Sequence, residues 1–336
     1  MTRLLDLSKD STEVAKVTTA IRKRLVGQDD IVTSFGRLLE LHTAGLAPHG
    51  KPIGSELILG PTGVGKTWAV ECLGLALYGL NTPGILRVDC AEFQHSHEIA
   101  RLVGSPPGYL GHKETHPFFT QAKLNALAGQ CAQWPFGIVL FDEIEKANDS
   151  LWSLLLGVLD KASLTLGTNE NVNFSRTLIV MTSNVGSEDM QAAIKGHIGF
   201  DSVKSHSDEE IATIGISAAK KKFTPEFINR LDIITTGRIL TEAENKEVLL
   251  RELESLQREM FLTEVRFRVS DSGLDGLMKE GYDSKYNARH IKRAVDKFIR
   301  LPLARAVSGR LIPDPVEEAI VVDYVDGKFV YGVEEA

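Results

Sequence analysis

Cysteine is scarce in this chain. Cys72, Cys90 and Cys131 are the only three in 336 residues, at spacings that fit neither a disulfide framework nor paired metal ligands. They read as buried free thiols in a reducing cytosol, and they exclude a zinc-binding head built on paired cysteines. Long hydrophobic runs are missing too, since no apolar stretch approaches the roughly 20 residues of a membrane span. The start, Met1-Thr2-Arg3-Leu4-Leu5-Asp6, breaks into charge before an export leader's apolar region forms. A cytoplasmic protein with no membrane partner is therefore expected. Positive charge is in deficit, with 38 Lys and Arg against 45 Asp and Glu, a net charge of −7. That balance argues against a nucleic-acid partner. His95 and His97 lack cysteine or carboxylate company at ligand spacing and read as loop histidines. The chain holds no internal repeat and no low-complexity tract.

What is present is an ordinary globular composition, 43% hydrophobic and 25% charged, with enough length for one large domain or two moderate ones. Short apolar runs at 56–59, 86–90, 137–141, 178–182 and 233–236 alternate with helical patterns. This is the pattern of a doubly wound α/β domain, whose parallel strands are covered on both faces and whose ligands sit at the strands' carboxyl ends. Beyond about residue 238 the character changes to a long charged amphipathic helix over 241–261, with Thr241 as its cap. Two or three shorter helices follow, then an alternating stretch over 319–331 around Asp326-Gly327 that signals a hairpin. The expected division is a lead-in over 1–24, a large domain over 25–238 and a small, mostly helical domain over 239–336. Residues 202–210 are polar enough to form a mobile loop.

The densest chemical information lies in Gly60-Pro61-Thr62-Gly63-Val64-Gly65-Lys66-Thr67, between an apolar strand and a helical pattern. Gly63 and Gly65 leave successive backbone N–H groups free to wrap phosphates, and the helix N-terminus adds a favourable field. Lys66 is expected to reach the β- and γ-phosphates of a nucleoside triphosphate, and the Thr67 hydroxyl to hold Mg²⁺. A second element, Ile138-Val139-Leu140-Phe141-Asp142-Glu143, delivers two acids at a strand end. Asp142 is expected to orient Mg²⁺ through its water shell, and Glu143 to polarise the attacking water.

From Leu25-Val26-Gly27-Gln28-Asp29 to the C-terminus, the order of motifs resembles the AAA+ module of the Clp unfoldases, especially the second ATPase module of ClpA, ClpC and ClpB. The resemblance is carried by Pro52-Ile53-Gly54-Ser55, by Asp142-Glu143-Ile144-Glu145-Lys146-Ala147 and by Phe223-Thr224-Pro225-Glu226-Phe227-Ile228-Asn229-Arg230-Leu231-Asp232. It implies a P-loop AAA+ domain with a five-stranded parallel sheet and a small helical domain ending in a β-hairpin. Among the phosphate-loop residues, Pro61, Thr62, Gly63, Val64, Gly65, Lys66 and Thr67 are carried over as nucleotide-binding, and Val26 falls where adenine is held. Asn184 matches the residue that positions the nucleophilic water. Arg230 matches the arginine finger that reaches a neighbouring subunit's nucleotide. Arg289 matches the residue reporting nucleotide state to the small domain, although Asn287 stands where the family has glycine; asparagine tolerates left-handed backbone.

Residues 101–111 resemble the axial pore loop, on which Tyr109 and Leu110 offer apolar area to an extended polypeptide. The segment 164–171 takes the place of a second pore-facing loop, with no residue assigned. Ile198-Gly199-Phe200 is similar to the tripeptide that docks into a ClpP-type peptidase. The resemblance thus implies a homohexameric ATP-dependent unfoldase and translocase in a single ring. Its partners would be unfolded or tagged proteins, a ClpP-type peptidase and an adaptor. The alternatives are a peptidase-independent remodelling chaperone or disaggregase of ClpB type, an AAA+ protein acting on DNA, and a regulatory pseudo-ATPase. The acidic balance and aromatic loop argue against the third of these four readings, and the complete set of site residues against the fourth.

Overall fold

Three apolar runs become central strands because every one of their residues is covered: β1 (Gly54–Leu59), β3 (Gly137–Asp142) and β6 (Thr177–Ser183) are buried throughout. Two partly exposed strands, β2 (Ile85–Asp89) and β7 (Ile233–Thr236), form the edges. The sheet order is β2-β3-β6-β1-β7 and every neighbouring pair is parallel. The expected five-stranded parallel sheet is thus present. Two further strands, β4 (Ser163–Thr165) and β5 (Asn171–Asn173), pair as a small antiparallel ribbon at the two ends of the segment 164–171.

In this computed structural model the described residues are 10–79, 84–105, 116–195, 207–261, 265–281, 288–309, 311 and 318–335. The chain divides into two units. One runs to Pro61 and from Gly65 to Arg238; the other comprises Thr62–Val64 and the chain from Ile239 onward.

Alternation along β1 divides the first unit's core. Leu57 and Leu59 face a cluster containing Phe119, Phe141, Trp152, Phe174 and Phe227, whereas Ile58 joins Ile138, Leu140, Phe35 and Phe136 on the opposite face. Burying one such aliphatic side chain contributes about 1.5–3 kcal/mol, so both faces hold the central strands in register. The helix Thr12–Arg22, within the expected lead-in, adds Val14, Val17 and Ile21 to the second cluster. Of the expected mobile loop over 202–210, residues 207–210 are ordered: Ser207 and Glu210 form a reciprocal capping box that starts the helix Asp208–Lys222. Residues 196–206 lie outside the described residues.

Glu56 is the exception to the apolar rule. It is fully buried in β1, where Ser34 and Thr235 hydrogen-bond the same carboxylate oxygen. Burial pushes its carboxyl up to about 7 against the two hydrogen bonds. At one end of the sheet, Asp232 accepts hydrogen bonds from the Ser55 backbone N–H at 2.8 Å and hydroxyl at 2.7 Å, tying β7 to the start of β1. At the other end the Gly237 N–H donates to the Leu59 carbonyl at 2.7 Å. The Gln28 side-chain amide clasps the next residue, donating to the Arg238 carbonyl at 2.9 Å and accepting from its N–H at 3.1 Å. Gly60 must be glycine here, since a Cβ would lie 2.6 Å from the Gly237 carbonyl oxygen.

In the second unit the helix Glu242–Phe261 starts at a capping box between Thr241 and Glu244. The helices Asp271–Gly281, Ala288–Val295 and Leu301–Ser308 follow. Strand β8 (Arg266–Val269), β9 (Glu318–Val325) and β10 (Lys328–Glu335) make a sheet ordered β10-β9-β8. The hairpin between β9 and β10 turns on Asp326 and Gly327, both at positive φ (50° and 78°), as a two-residue turn with right-handed strand twist requires. Leu249, Phe267, Leu277, Ile299 and Val322 form this unit's core.

Candidate functional site

The phosphate loop leaves the carboxyl end of β1 and enters the helix Lys66–Tyr78. Gly63 and Gly65 sit at φ 84° and 99°, in the left-handed region where a Cβ would be strained. Gly65 caps the helix without a side-chain hydrogen bond, which leaves the first-turn N–H groups to an anion. Lys66 is buried, and its ammonium donates to the Gly60 carbonyl at 2.7 Å, the Pro61 carbonyl at 2.8 Å and Asn184 Oδ1 at 2.8 Å. The loop lysine is therefore aimed across β1 toward the end of β6.

Asp142 ends β3 with both oxygens engaged. Oδ1 accepts from Thr67 Oγ1 at 3.0 Å and from the Thr182 hydroxyl, and Oδ2 accepts from the Arg87 guanidinium. Glu143 follows in left-handed backbone, φ 56° and ψ 50°, a conformation that costs a non-glycine residue of order 1 kcal/mol and concentrates at functional sites. Its N–H donates to Thr182 Oγ1 at 3.0 Å. Its carboxylate accepts from Asn184 Nδ2 at 3.2 Å and pairs with Lys146. That hydrogen bond to Glu143 raises the Lys146 ammonium above its ordinary range. Glu145 holds Asn184 from a second side, accepting from its N–H at 3.0 Å and its Nδ2 at 3.2 Å. Beneath these acids the Cys90 thiol is pushed up, first by burial and then by the charge of Asp142 and its neighbours, so it is an unreactive thiol.

Lys66, Thr67, Asp142, Glu143 and Asn184 therefore converge from β1, β3 and β6 into one hydrogen-bonded cluster. Arg230 is elsewhere in its bonding: its ion pairs run to Asp160 at 3.0 Å and Glu226 at 3.5 Å. Val26 is buried beside Gly27, which has φ 70°, and Arg289 is an exposed residue of the helix Ala288–Val295 in the second unit. Tyr109, Leu110, Ile198, Gly199 and Phe200 lie outside the described residues, as does Asn287. Thr182, Arg87 and Glu145 join the cluster without having been singled out as site residues. Thr182 hides in an apolar strand and Arg87 reads as an edge-strand charge. Glu145, two residues beyond Glu143, carried the best available signal.

Residues 51–234 match the family described as AAA domain (Cdc48 subfamily). The chain belongs to the AAA family. Residues 240–321 match the C-terminal, D2-small domain of ClpB protein. The ATP-dependent Clp protease ATP-binding subunit ClpC of Staphylococcus aureus is 34% identical over 328 residues, covering 97% of this chain and 38% of the relative. The Staphylococcus epidermidis ClpC is 33% identical over the same span. Among solved structures, a closed-state cryo-EM reconstruction of Hsp104 with ATPγS and FITC-casein superposes with a TM-score of 0.79 at 25% identity, covering 98% of this chain and 53% of that one. The AAA chain thus spans 38% of the length of the ClpC relatives it matches. Among the described residues no helix is long and apolar enough to cross a membrane, and no group of three or more His, Cys, Asp or Glu side chains could hold a metal. A hydroxyl and a carboxylate 3.0 Å apart, Thr67 and Asp142, are instead the hard oxygen donors that Mg²⁺ takes alongside phosphate oxygens and water.

Proposed function

We propose that this AAA chain is an ATP-dependent protein unfoldase and translocase that works in the cytoplasm as a homohexameric ring. The observation that carries the reading is the Lys66–Asn184–Glu143 chain of hydrogen bonds beside the Thr67–Asp142 pair. It joins a phosphate-binding cation, a water-orienting amide and a candidate base at the ends of three adjacent strands. Lys66 would leave its loop carbonyls for the β- and γ-oxygens of ATP. Asn184 would hold a water between its amide and Glu143, and a Glu143 carboxylate oxygen would take the proton as the water attacks. The chemistry that bound Mg²⁺ supplies, with Thr67 and Asp142 holding it, is neutralisation of phosphate charge. Arg230 would act on the nucleotide of the next subunit, which fits its ion pairs to residues outside the cluster. Arg289 would report nucleotide state to the small domain, here assigned to 239–336, the large domain being 25–238. Val26 would hold the adenine, and residues 1–24 would serve as a lead-in.

On this reading Tyr109 and Leu110 grip the substrate polypeptide, and Ile198-Gly199-Phe200 docks on a ClpP-type peptidase. The ClpC relatives are described as ATP-binding subunits of a Clp protease. The test is sedimentation with ATPγS, with and without a ClpP-type peptidase, beside an ATPase assay. Nucleotide-dependent rings that bring the peptidase down are expected, and Glu143→Gln should keep the rings while abolishing turnover. Rings that hydrolyse ATP but leave the peptidase in the supernatant would favour a remodelling chaperone of the ClpB type. Absence of both rings and hydrolysis would overturn the reading.

A further inference from the structure

The chain contains three tryptophans. Trp134 and Trp152 are buried at 4% and 5% exposure, but Trp68 is 44% exposed, although it directly follows Thr67 in the first turn of the phosphate-loop helix. An indole has a large apolar area to cover, and one left half in water beside a ligand loop asks for an occupant.

Two flanks of the loop can be told apart. On one, Lys66 Nζ and Thr67 Oγ1 point to Asn184 and Asp142, which marks where the terminal phosphate belongs. A triphosphate whose γ end lies there sends its nucleoside toward the other flank. Arg24 and Leu25 contact the loop and its helix away from those two bonds. The Trp68 indole N–H donates to the Arg24 carbonyl at 3.4 Å, so the ring lies along this segment. Leu25 closes on the loop itself, with Leu25 Cδ1 3.5 Å from where a Gly65 Cβ would be. Trp68 thus stands where the phosphate loop meets the segment that carries Val26.

We propose that Trp68 is a base-binding residue that packs its indole against the nucleobase of the bound nucleotide. The inference rests on the ATPase reading above, and adds that recognition of the base, as distinct from the phosphates, runs through this side chain. A flat aromatic surface takes any base by stacking and gains nothing from a polyphosphate that lacks one. Residues 24–26 would then form the second wall of the base site.

The test is intrinsic tryptophan emission of the full chain, titrated with ATPγS, with ADP and with inorganic tripolyphosphate, while calorimetry measures binding of each. Both nucleotides should shift the emission, and tripolyphosphate should bind without shifting it. Trp68→Phe should remove the response, which assigns it to this indole rather than to the two buried ones. Trp68→Ala should weaken ATPγS binding roughly tenfold and leave tripolyphosphate binding unchanged. Nucleotide binding in the calorimeter with no change in emission would overturn the proposal. So would an equal loss for ATPγS and tripolyphosphate in Trp68→Ala, or an emission that follows protein concentration alone, which would assign Trp68 to a subunit contact. A chain that binds no nucleotide at all would instead overturn the ATPase reading.

Discussion

The cluster around Asn184 and the surroundings of Arg230 solve opposite problems with the same kinds of group. Lys66 is buried and its ammonium has three acceptors, while Asn184 is held through its backbone N–H and both ends of its amide. Arg230 is 30% exposed, and its partners Asp160 and Glu226 are 36% and 62% exposed. Exposed ion pairs of that kind contribute about 0–1 kcal/mol each, whereas stranding a buried cation costs several. On the proposed function, the difference would separate groups that must be in place before the reaction from one that has to leave its partners to act. A guanidinium held this loosely could be drawn away by a nearby phosphate at little cost.

The sharpest way to break this contrast is to mix two inactive variants. Glu143→Gln and Arg230→Ala should each lower hydrolysis on the order of 10³-fold, the first by losing the base and the second by losing a donor. In mixed rings, an Arg230→Ala subunit beside a Glu143→Gln subunit has an intact site, so ATPase activity should return on mixing. An equimolar mixture as inactive as its components would show that Arg230 does not act on a neighbour.

A smaller effect is expected at Glu56, a buried acid with no part in the cluster. Its folded-state carboxyl is raised to about 7 from 4.5, so the folded chain binds the proton more tightly than the unfolded chain. Stability should therefore be greatest below about pH 4.5, as far as this group alone is concerned, and should be lost progressively as pH rises through 7. Glu56→Gln, which mimics the protonated acid, should flatten that slope and stabilise the fold at pH 8 by on the order of 3 kcal/mol. Urea denaturation at pH 5 and pH 8 reads the difference, and parallel slopes for both proteins would refute it. The smallest change belongs to Asp160→Asn. Removing one exposed tether should shift stability by less than about 1 kcal/mol and leave hydrolysis within a few-fold of the parent. A thousandfold loss there would mean that the tether itself is part of the active geometry.

These contrasts follow how legible each part was in the sequence. The parallel sheet was readable because β1, β3 and β6 are buried on both faces and so must be written as unbroken apolar runs. The phosphate loop was readable because left-handed backbone at Gly63 and Gly65 demands glycine. Arg87 was not, because a charge in a half-exposed edge strand looks the same whether it meets water or the Asp142 carboxylate. Glu56 was hidden inside a strand otherwise identified by its apolar neighbours, since its partners Ser34 and Thr235 lie 22 and 179 residues away. Strand β8 was missed for a similar reason: four residues, Arg266–Val269, pair in parallel with a strand about 50 positions later, and nothing local announces that partner.

The clasp at the edge of the sheet has a mechanical consequence. Leu59, the last residue before the phosphate loop, holds Gly237, and Gln28 holds both backbone polar groups of Arg238. Gly60 packs so closely on Gly237 that it cannot carry a side chain. The chain at Gly237 and Arg238 is thus riveted to the root of the loop for as long as these bonds last. A displacement of the loop would therefore be felt first at Gly237 and Arg238, the two residues these bonds hold.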